Sequence, residues 1–483
     1  MKKLTDILKN TPVRELCGDT AAAIGGLVYD SRAVKPGDCF FAVPGTQSDG
    51  HDYIPIAVEK GAAAIVCERM PADAAEGVAY VLVGDSAGAM ADMAAAFYDY
   101  PSRELKLVGI TGTNGKTTTA TLLYDLVRAM GYKAGLISTV VYKIDGREVE
   151  ATHTTPDSIR LNAMMREMAD AGCAYCFMEC SSHAIVQERT RGLDFAGGIF
   201  SNITHDHLDY HKTFAEYIRA KKLFFDGLPK GAFALTNADD RNGRVMVQNT
   251  AAAVSAYSLR AMADFRCKIV EMHLDGMLLR IDGQELWVGL LGRFNAYNLL
   301  AVYGAAALLG LDRGEVLRVL SMLHAVSGRF EKIRAANGTT AIVDYAHTPD
   351  ALENVIQTIE EIRTPGQQLI VVCGCGGDRD RTKRPEMAAI AVKYATMAVF
   401  TSDNPRHEEP EAIMADVMPG LSGAAEVFAD PDRRRAIEKG LELLHPGDAL
   451  LIAGKGHEST QQIGDVKHPF SDQQTVREIL GCA

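Results

Sequence analysis

Leu105-Lys106-Leu107-Val108-Gly109-Ile110-Thr111-Gly112-Thr113-Asn114-Gly115-Lys116-Thr117-Thr118 is an apolar run that ends in a glycine-rich turn. Residues 105–110 have the length and aliphatic content of a buried strand. The apolar periodicity from Thr117 to Met130, stopped by Gly131, predicts a helix. A turn between the two aims backbone N–H groups and a helix N-terminus at one point, which suits phosphate oxygens. Lys116 is then expected to reach the terminal phosphates and the Thr117 hydroxyl to hold magnesium, with Gly112, Thr113, Asn114, Gly115 and Thr118 completing the cradle. The general phosphate-loop pattern asks for a glycine five residues before Gly115, where this chain has Ile110.

Working outward, residues 1–101 mix short apolar runs with turn-rich stretches such as Val34-Lys35-Pro36-Gly37-Asp38 and predict a small α/β domain. After the phosphate turn, strand-like segments at 175–178, 198–200 and 232–235 alternate with helical ones, so residues 102–332 are expected to form a central domain of phosphate-loop type with a mostly parallel sheet. Strand runs at 340–345, 368–373, 397–401 and 449–453 with helices between them predict a doubly wound, Rossmann-like domain over 333–483. The fold class is α/β in three domains.

The whole-chain composition limits the function. The 483 residues are 47% hydrophobic and 23% charged, with no apolar run of the ~20 residues that a membrane span needs. The N-terminus, MKKLTDILKN, lacks a continuous apolar core, so a cytoplasmic location is expected. A formal charge of −12 argues against nucleic acid as a partner. The 10 cysteines are scattered, and the one close pair, Cys373 and Cys375, has neither zinc-ribbon nor Cys-x-x-Cys spacing, so reduced thiols are expected.

Two further clusters carry chemistry. Met178-Glu179-Cys180-Ser181-Ser182-His183 follows a predicted strand, which puts the Glu179 carboxylate at a strand end where it can meet a metal held on the phosphate turn. Ser201-Asn202-Ile203-Thr204-His205-Asp206-His207-Leu208-Asp209-Tyr210-His211 packs three histidines and two carboxylates into a few residues. Leu291-Gly292-Arg293-Phe294-Asn295-Ala296-Tyr297-Asn298 opens an apolar helix with two asparagines three apart on one face.

A TGTNGKT turn with no earlier glycine resembles that of the Mur ligase superfamily, which also holds folylpolyglutamate synthetase. The ITHDHLDYH segment, the GRFNAYN helix start, Ser327-Gly328-Arg329-Phe330-Glu331 and Asp344-Tyr345-Ala346-His347-Thr348-Pro349 resemble the family's motifs in the same order, over nearly the whole chain. The resemblance implies magnesium held by Thr117, Glu179, His207 and a carbamate formed from carbon dioxide on Lys221. It leaves His205 and His211 as structural residues. It places ATP on the phosphate turn, with adenine at Asn298 and Asn295, the γ-phosphate near Arg329, and Asp344 and His347 at the ribose and phosphate end.

Asp30-Ser31-Arg32 looks like the uridine-side motif of the branch that adds the third peptide residue, with a further contact near Thr46-Gln47-Ser48. Thr154, Thr155, Ser181, Gln187 and Arg189 match positions that hold the sugar and peptide of a UDP-N-acetylmuramoyl-dipeptide. Asp403-Asn404-Pro405-Arg406 is similar to the signature of members that add meso-diaminopimelate. A planar guanidinium can grip the distal carboxylate of that diamino acid with two parallel bonds, and lysine offers no such group. Arg379, Gly454 and Glu458 would complete the pocket. The implied protein is a magnesium-dependent, monomeric ligase that activates a carboxylate with ATP. The alternatives are a lysine-adding sibling, a folylpolyglutamate synthetase-like ligase and a non-catalytic ATP-binding module.

Overall fold

The computed structural model describes residues 1–45, 48–206, 208–335, 338–422 and 425–482. His207, Thr46 and Gln47 therefore lie outside the described residues. The strand Lys106–Thr111 leads through the glycine turn into the helix Lys116–Ala129, one residue from the bounds read in the sequence at each junction. This strand sits inside an 11-stranded sheet, between Tyr175–Glu179 and Gly197–Phe200, with parallel pairing to both. Phe233–Asn237, Ala253–Ser258 and Phe265–His273 continue the parallel part, and Ala134–Ile137 flanks Tyr175–Glu179 on the other side. Such central strands are buried on both faces and carry near-continuous aliphatic runs.

Antiparallel strands extend this sheet at both edges. Val141–Ile144 pairs with Arg147–Glu150, and Gly276–Ile281 with Gln284–Val288. Each pair turns on an Asp-Gly step, Asp145-Gly146 and Asp282-Gly283, whose four residues all have positive φ (46, 90, 46 and 88°). That is the two-residue hairpin turn favoured by the twist of the strands. An Asp-Gly step is a sequence mark of such turns, and neither was singled out in the sequence.

The first block holds a five-stranded sheet, four strands of it parallel, with Val13–Cys17 pairing antiparallel at one edge. The last block holds a six-stranded sheet in the order Glu331–Arg334, Thr340–Asp344, Ala449–Ala453, Leu369–Cys375, Met397–Ser402 and Glu426–Ala429. It is parallel except at the first pair. In an open parallel sheet, ligands bind beyond the carboxyl ends of the strands. The strands ending at Glu179 in the central sheet and at Asp344 in the last one both deliver their final residue to one cavity. All ten cysteines are free. No helix among the described residues is long and apolar enough to cross a membrane.

Candidate active site

A cavity of about 940 Å³ opens where these two strands end. Its floor is the phosphate turn. Gly112 and Gly115 take φ of 151 and 85°, and a Cβ on Gly112 would come within 2.0 Å of Ser201 Oγ, so only glycine lets the neighbouring loop approach this closely. That loop braces the turn. Ser201 Oγ and Asn202 Nδ2 donate to the Asn114 carbonyl at 2.6 and 3.1 Å, and Asn114 N donates to Asn202 Oδ1 at 3.0 Å. Lys116 Nζ donates to the carbonyls of Gly112 and Thr113 at 3.0 and 2.7 Å, folded back on its own turn.

Lys221 belongs to the helix Phe214–Asp226 and is 1% exposed. Its Nζ donates to the Gly112 carbonyl at 2.7 Å and lies 4.6 Å from the centroid of the Tyr217 ring. Burial, and then the nearby Lys116 charge, hold its pKa well below the ordinary lysine value. Glu179 is as deeply buried, and its Oε1 accepts from Thr139 N at 2.7 Å. Thr117, Glu179 and Lys221 all line the cavity. Among the described residues no group of three or more His, Cys, Asp or Glu is arranged to hold a metal on its own.

The substrate side is one connected wall. Thr155 Oγ1 donates to the Glu179 carbonyl at 2.6 Å, Arg189 Nη1 to the Thr155 carbonyl at 2.7 Å, and Arg189 Nη2 to Gln187 Oε1 at 2.6 Å. Ser181 caps the short helix Ser182–Val186 with its hydroxyl, and Thr154 meets Thr139 at 3.1 Å. His211 is buried and pairs with Ser182 Oγ at 2.9 Å, while His205 is exposed. Ser31 is buried in the first block and does not reach this cavity. The Asp30 carboxylate beside it is engaged by Arg32 at 2.8 Å.

At the nucleotide end Asn298 lines the cavity and Asn295 stands behind it. Asn298 Nδ2 donates to Asn295 Oδ1 at 3.2 Å, and Asn295 Nδ2 donates to the Leu291 carbonyl at 2.7 Å. Neither asparagine caps the helix Arg293–Leu308, whose N-cap is Gly292. Asp239 was not singled out in the sequence, yet it lines the same end and accepts from Ser258 Oγ, Leu259 N and Tyr297 OH at 2.7 to 2.8 Å. No motif marks it, because its partners come from a distant strand end and helix.

The last block closes the cavity from above. Arg329 Nη2 donates to Thr117 Oγ1 at 3.2 Å, and its guanidinium lies 4.4 Å from the Tyr345 ring centroid. Gly328 permits this approach with φ of 65°, since a Cβ there would meet His457 N at 2.0 Å. Asp344 Oδ2 accepts from Phe330 N at 2.6 Å, and burial raises its pKa to about 6. His347 Nδ1 pairs with the Tyr345 carbonyl at 2.9 Å. Asp350, the residue just after the 344–349 motif, accepts from Asn114 Nδ2 at 2.8 Å. Lys383 and Asp206 form an ion pair across the same gap.

The 403–406 loop lies beyond the cavity wall, which Arg379 alone reaches from the amino-acid set. Arg406 has φ of 52°, and its Nη1 donates to the Gly377 carbonyl at 2.7 Å. Asn404 Nδ2 and the fully buried Lys455 Nζ both donate to Glu458 Oε2 at 2.8 Å. Lys455 Nζ also stands 3.6 Å from the buried Asp403 carboxylate. Gly454 takes φ of 120° and a Cβ would sit 2.9 Å from Asp403 Oδ2, so glycine is needed for these loops to meet. Pro405 is buried between them.

Three family models match the chain: "Mur ligase family, catalytic domain" over residues 23–98, "Mur ligase middle domain" over 110–306 and "Mur ligase, glutamate ligase domain" over 328–456. The chain is 53% identical over 480 residues to the UDP-N-acetylmuramoyl-L-alanyl-D-glutamate–2,6-diaminopimelate ligase of Phocaeicola vulgatus, and 52% identical over 481 to that of Cytophaga hutchinsonii, covering 99% of each chain in both cases. Among solved structures, one carrying the same ligase name aligns over 100% of this chain and 99% of its own, with TM-score 0.71 and 31% identity. A folylpolyglutamate synthase from Thermotoga maritima aligns over 76% of this chain and 90% of its own, with TM-score 0.58 and 15% identity, which shows likeness of fold alone.

Proposed function

The chain belongs to the Mur ligase family, and from that premise we propose that it joins meso-2,6-diaminopimelate to the D-glutamate carboxylate of UDP-N-acetylmuramoyl-L-alanyl-D-glutamate, using ATP, in cytoplasmic synthesis of a peptidoglycan precursor. The observation that carries the reading is a single cavity walled by the phosphate turn, by Glu179, Lys221 and Arg329, and by the Thr155–Arg189 network. A phosphoryl donor and a polar anionic acceptor can meet there.

The donor set fits magnesium. Thr117 offers a hydroxyl, Glu179 a buried carboxylate, and Lys221 an amine whose neutral form is the one that adds carbon dioxide to give a carbamate, an oxygen ligand of negative charge. Together with His207 these residues would hold the ions. Bound magnesium neutralises phosphate charge and orients the oxygens for in-line transfer. Lys116 exchanges its bonds to the turn carbonyls for bonds to the terminal phosphates. Arg329, fixed by the Tyr345 face and by the Asp344–Phe330 bond, stabilises the charge that develops at the γ-phosphate.

A carboxylate oxygen of the D-glutamate attacks that phosphorus and ADP departs, leaving an acyl phosphate. The amine of diaminopimelate then attacks the acyl carbon, loses a proton and expels inorganic phosphate, so that the amide forms. No side chain becomes a covalent nucleophile. Catalysis is positioning and charge neutralisation. Arg379 and Arg406 offer guanidinium groups to the distal carboxylate, and Asp403, Asn404 and Glu458 offer acceptors to the distal ammonium. The test is phosphate release and product mass with the UDP-dipeptide, ATP and magnesium, comparing meso-diaminopimelate with L-lysine. Selective use of diaminopimelate is expected. A preference for lysine would keep the ligase and sink the role given to Arg406, and inactivity with both would sink the reading.

A further inference from the structure

Arg384, the second residue of the helix Lys383–Tyr394, is 1% exposed and has no role in the chemistry described so far. Guanidinium groups are almost never buried this completely unless they are paired. Its two terminal nitrogens donate to the two Glu408 oxygens at 2.9 and 2.8 Å. Nη1 also donates to Asp416 Oδ2 at 2.7 Å, and Nη2 to the Gly376 carbonyl at 3.1 Å. Glu408 passes the constraint on, since its Oε1 accepts from Asp378 N at 2.7 Å.

These contacts tie two loops together. Gly376 and Asp378 belong to the turn that presents Arg379, and Glu408 stands two residues beyond Arg406. The loops also touch directly, through Gly377 N to the Asn404 carbonyl at 2.9 Å and Arg406 Nη1 to the Gly377 carbonyl. Arg379 and Arg406 carry like charges close enough that burial and then the Arg379 charge lower the Arg406 pKa. Repulsion would splay their loops before an anion arrives. The Asp403, Glu458 and Asp378 carboxylates offset part of the charge at Arg406, and the planar fork of Arg384 holds the two loops together through Glu408 and the Gly376 carbonyl. Lys383, the preceding residue, pairs with Asp206 on the loop beside the phosphate turn.

We propose that Arg384 is a positioning residue for amino-acid recognition: its fork to Glu408 and Gly376 fixes the spacing of Arg379 and Arg406, while the adjoining Lys383–Asp206 pair seats that pocket against the phosphate cavity. This rests on the reading of the 376–379 and 403–406 loops as the diaminopimelate pocket. Arg384→Lys keeps the charge and loses the fork. Glu408→Gln keeps the shape and weakens the fork at a half-buried position. Steady-state kinetics on the full-length enzyme would vary each of the three substrates in turn, with L-lysine as the competing amine.

The expected result for Arg384→Lys is a KM for diaminopimelate raised about tenfold or more, a diaminopimelate-to-lysine ratio of kcat/KM lowered by a similar factor, and KM for ATP and the UDP-dipeptide within about twofold of wild type. Glu408→Gln shifts the same two quantities in the same direction by less, and it decides the matter alone if Arg384→Lys does not fold. An unchanged KM for diaminopimelate, or parallel losses on all three substrates, would overturn the positioning role. Wild type inactive with diaminopimelate overturns the proposed function and this inference together, whereas active wild type with unaffected variants overturns this inference only.

Discussion

Replacing Asp344 by asparagine should stabilise the protein at neutral pH and impair it as a catalyst. Asp344 ends the strand Thr340–Asp344, is 7% exposed and accepts from Phe330 N. Burial raises its pKa from 3.8 to about 6, against the pull of the Arg329 charge and of two backbone hydrogen bonds. The folded state thus holds the proton more tightly than the unfolded one. The destabilisation is absent below the unfolded pKa, grows between 3.8 and about 6, and is complete above. The gap between those values, at about 1.36 kcal/mol per pH unit, amounts to about 3 kcal/mol. Asparagine removes this ionisation and keeps an oxygen for Phe330 N.

Urea unfolding of both proteins across pH provides the assay. The stability of Asp344→Asn relative to wild type should rise by about 3 kcal/mol between about pH 2.5 and pH 7.5. Phosphate release should fall about ten- to a hundredfold in kcat/KM for ATP, since the neutral amide no longer orients Arg329 by charge. A stability difference that stays constant across pH would refute the reasoning, because a charge that costs nothing to bury cannot be the one removed.

Gly115→Ala should abolish the rise in melting temperature that ATP produces. The backbone there has φ of 85°, which disfavours any Cβ by roughly 1–2 kcal/mol, and the new carbon would sit 2.5 Å from Asn298 Oδ1. A wild-type thermal shift with ATP would count against this turn as the phosphate site. Lys221→Met should stop turnover while ATP still binds, and a carbamate resonance from isotope-labelled bicarbonate should appear in wild type and vanish in the variant. Its absence from active wild type would remove the carbamate. Arg433 and Asp472 form a fully buried pair at 2.7 Å, so Arg433→Met should lose about 3–5 kcal/mol in chemical unfolding, and adding Asp472→Leu should recover most of it. Equal losses in the single and double variants would contradict that account.

The parallel strands and the phosphate turn were legible in the sequence because their cause is local. A run such as Leu369-Ile370-Val371-Val372-Cys373 is apolar because both faces are covered, and a Gly-x-x-Gly turn before a helical period needs no distant partner to be recognised. The edge hairpins at Asp145-Gly146 and Asp282-Gly283 were legible in principle from the turn residues, although the alternating strands around them blend into surface sequence. What the chain does not announce is pairing over distance. Lys383 meets Asp206 across 177 residues and Asp350 meets Asn114 across 236, and in both pairs each partner alone is an ordinary polar residue. Lys455 sits inside Gly454-Lys455-Gly456-His457-Glu458, a stretch read for its glycine and glutamate, and only burial reveals that the ammonium holds Glu458 and Asn404 together.

The same long-range contacts explain why a site assembled from three blocks can wait for a polyanion. Lys116 folds onto its own turn, and burial disfavours the charge on Lys221. Arg329 spreads over the Tyr345 ring while touching Thr117, and Asp344 resists ionisation. Each of these is a charge placed where its field is strong and its solvent poor, held by weak carbonyl or ring contacts. Phosphate oxygens and metal ions would replace those contacts with stronger ones. Binding energy is then released at the seam between the central and last blocks, where Asn114–Asp350 and Asp206–Lys383 already cross. Filling the nucleotide end should therefore tighten the seating of the helix Lys383–Tyr394, and with it the spacing of the two arginines that meet the incoming amino acid.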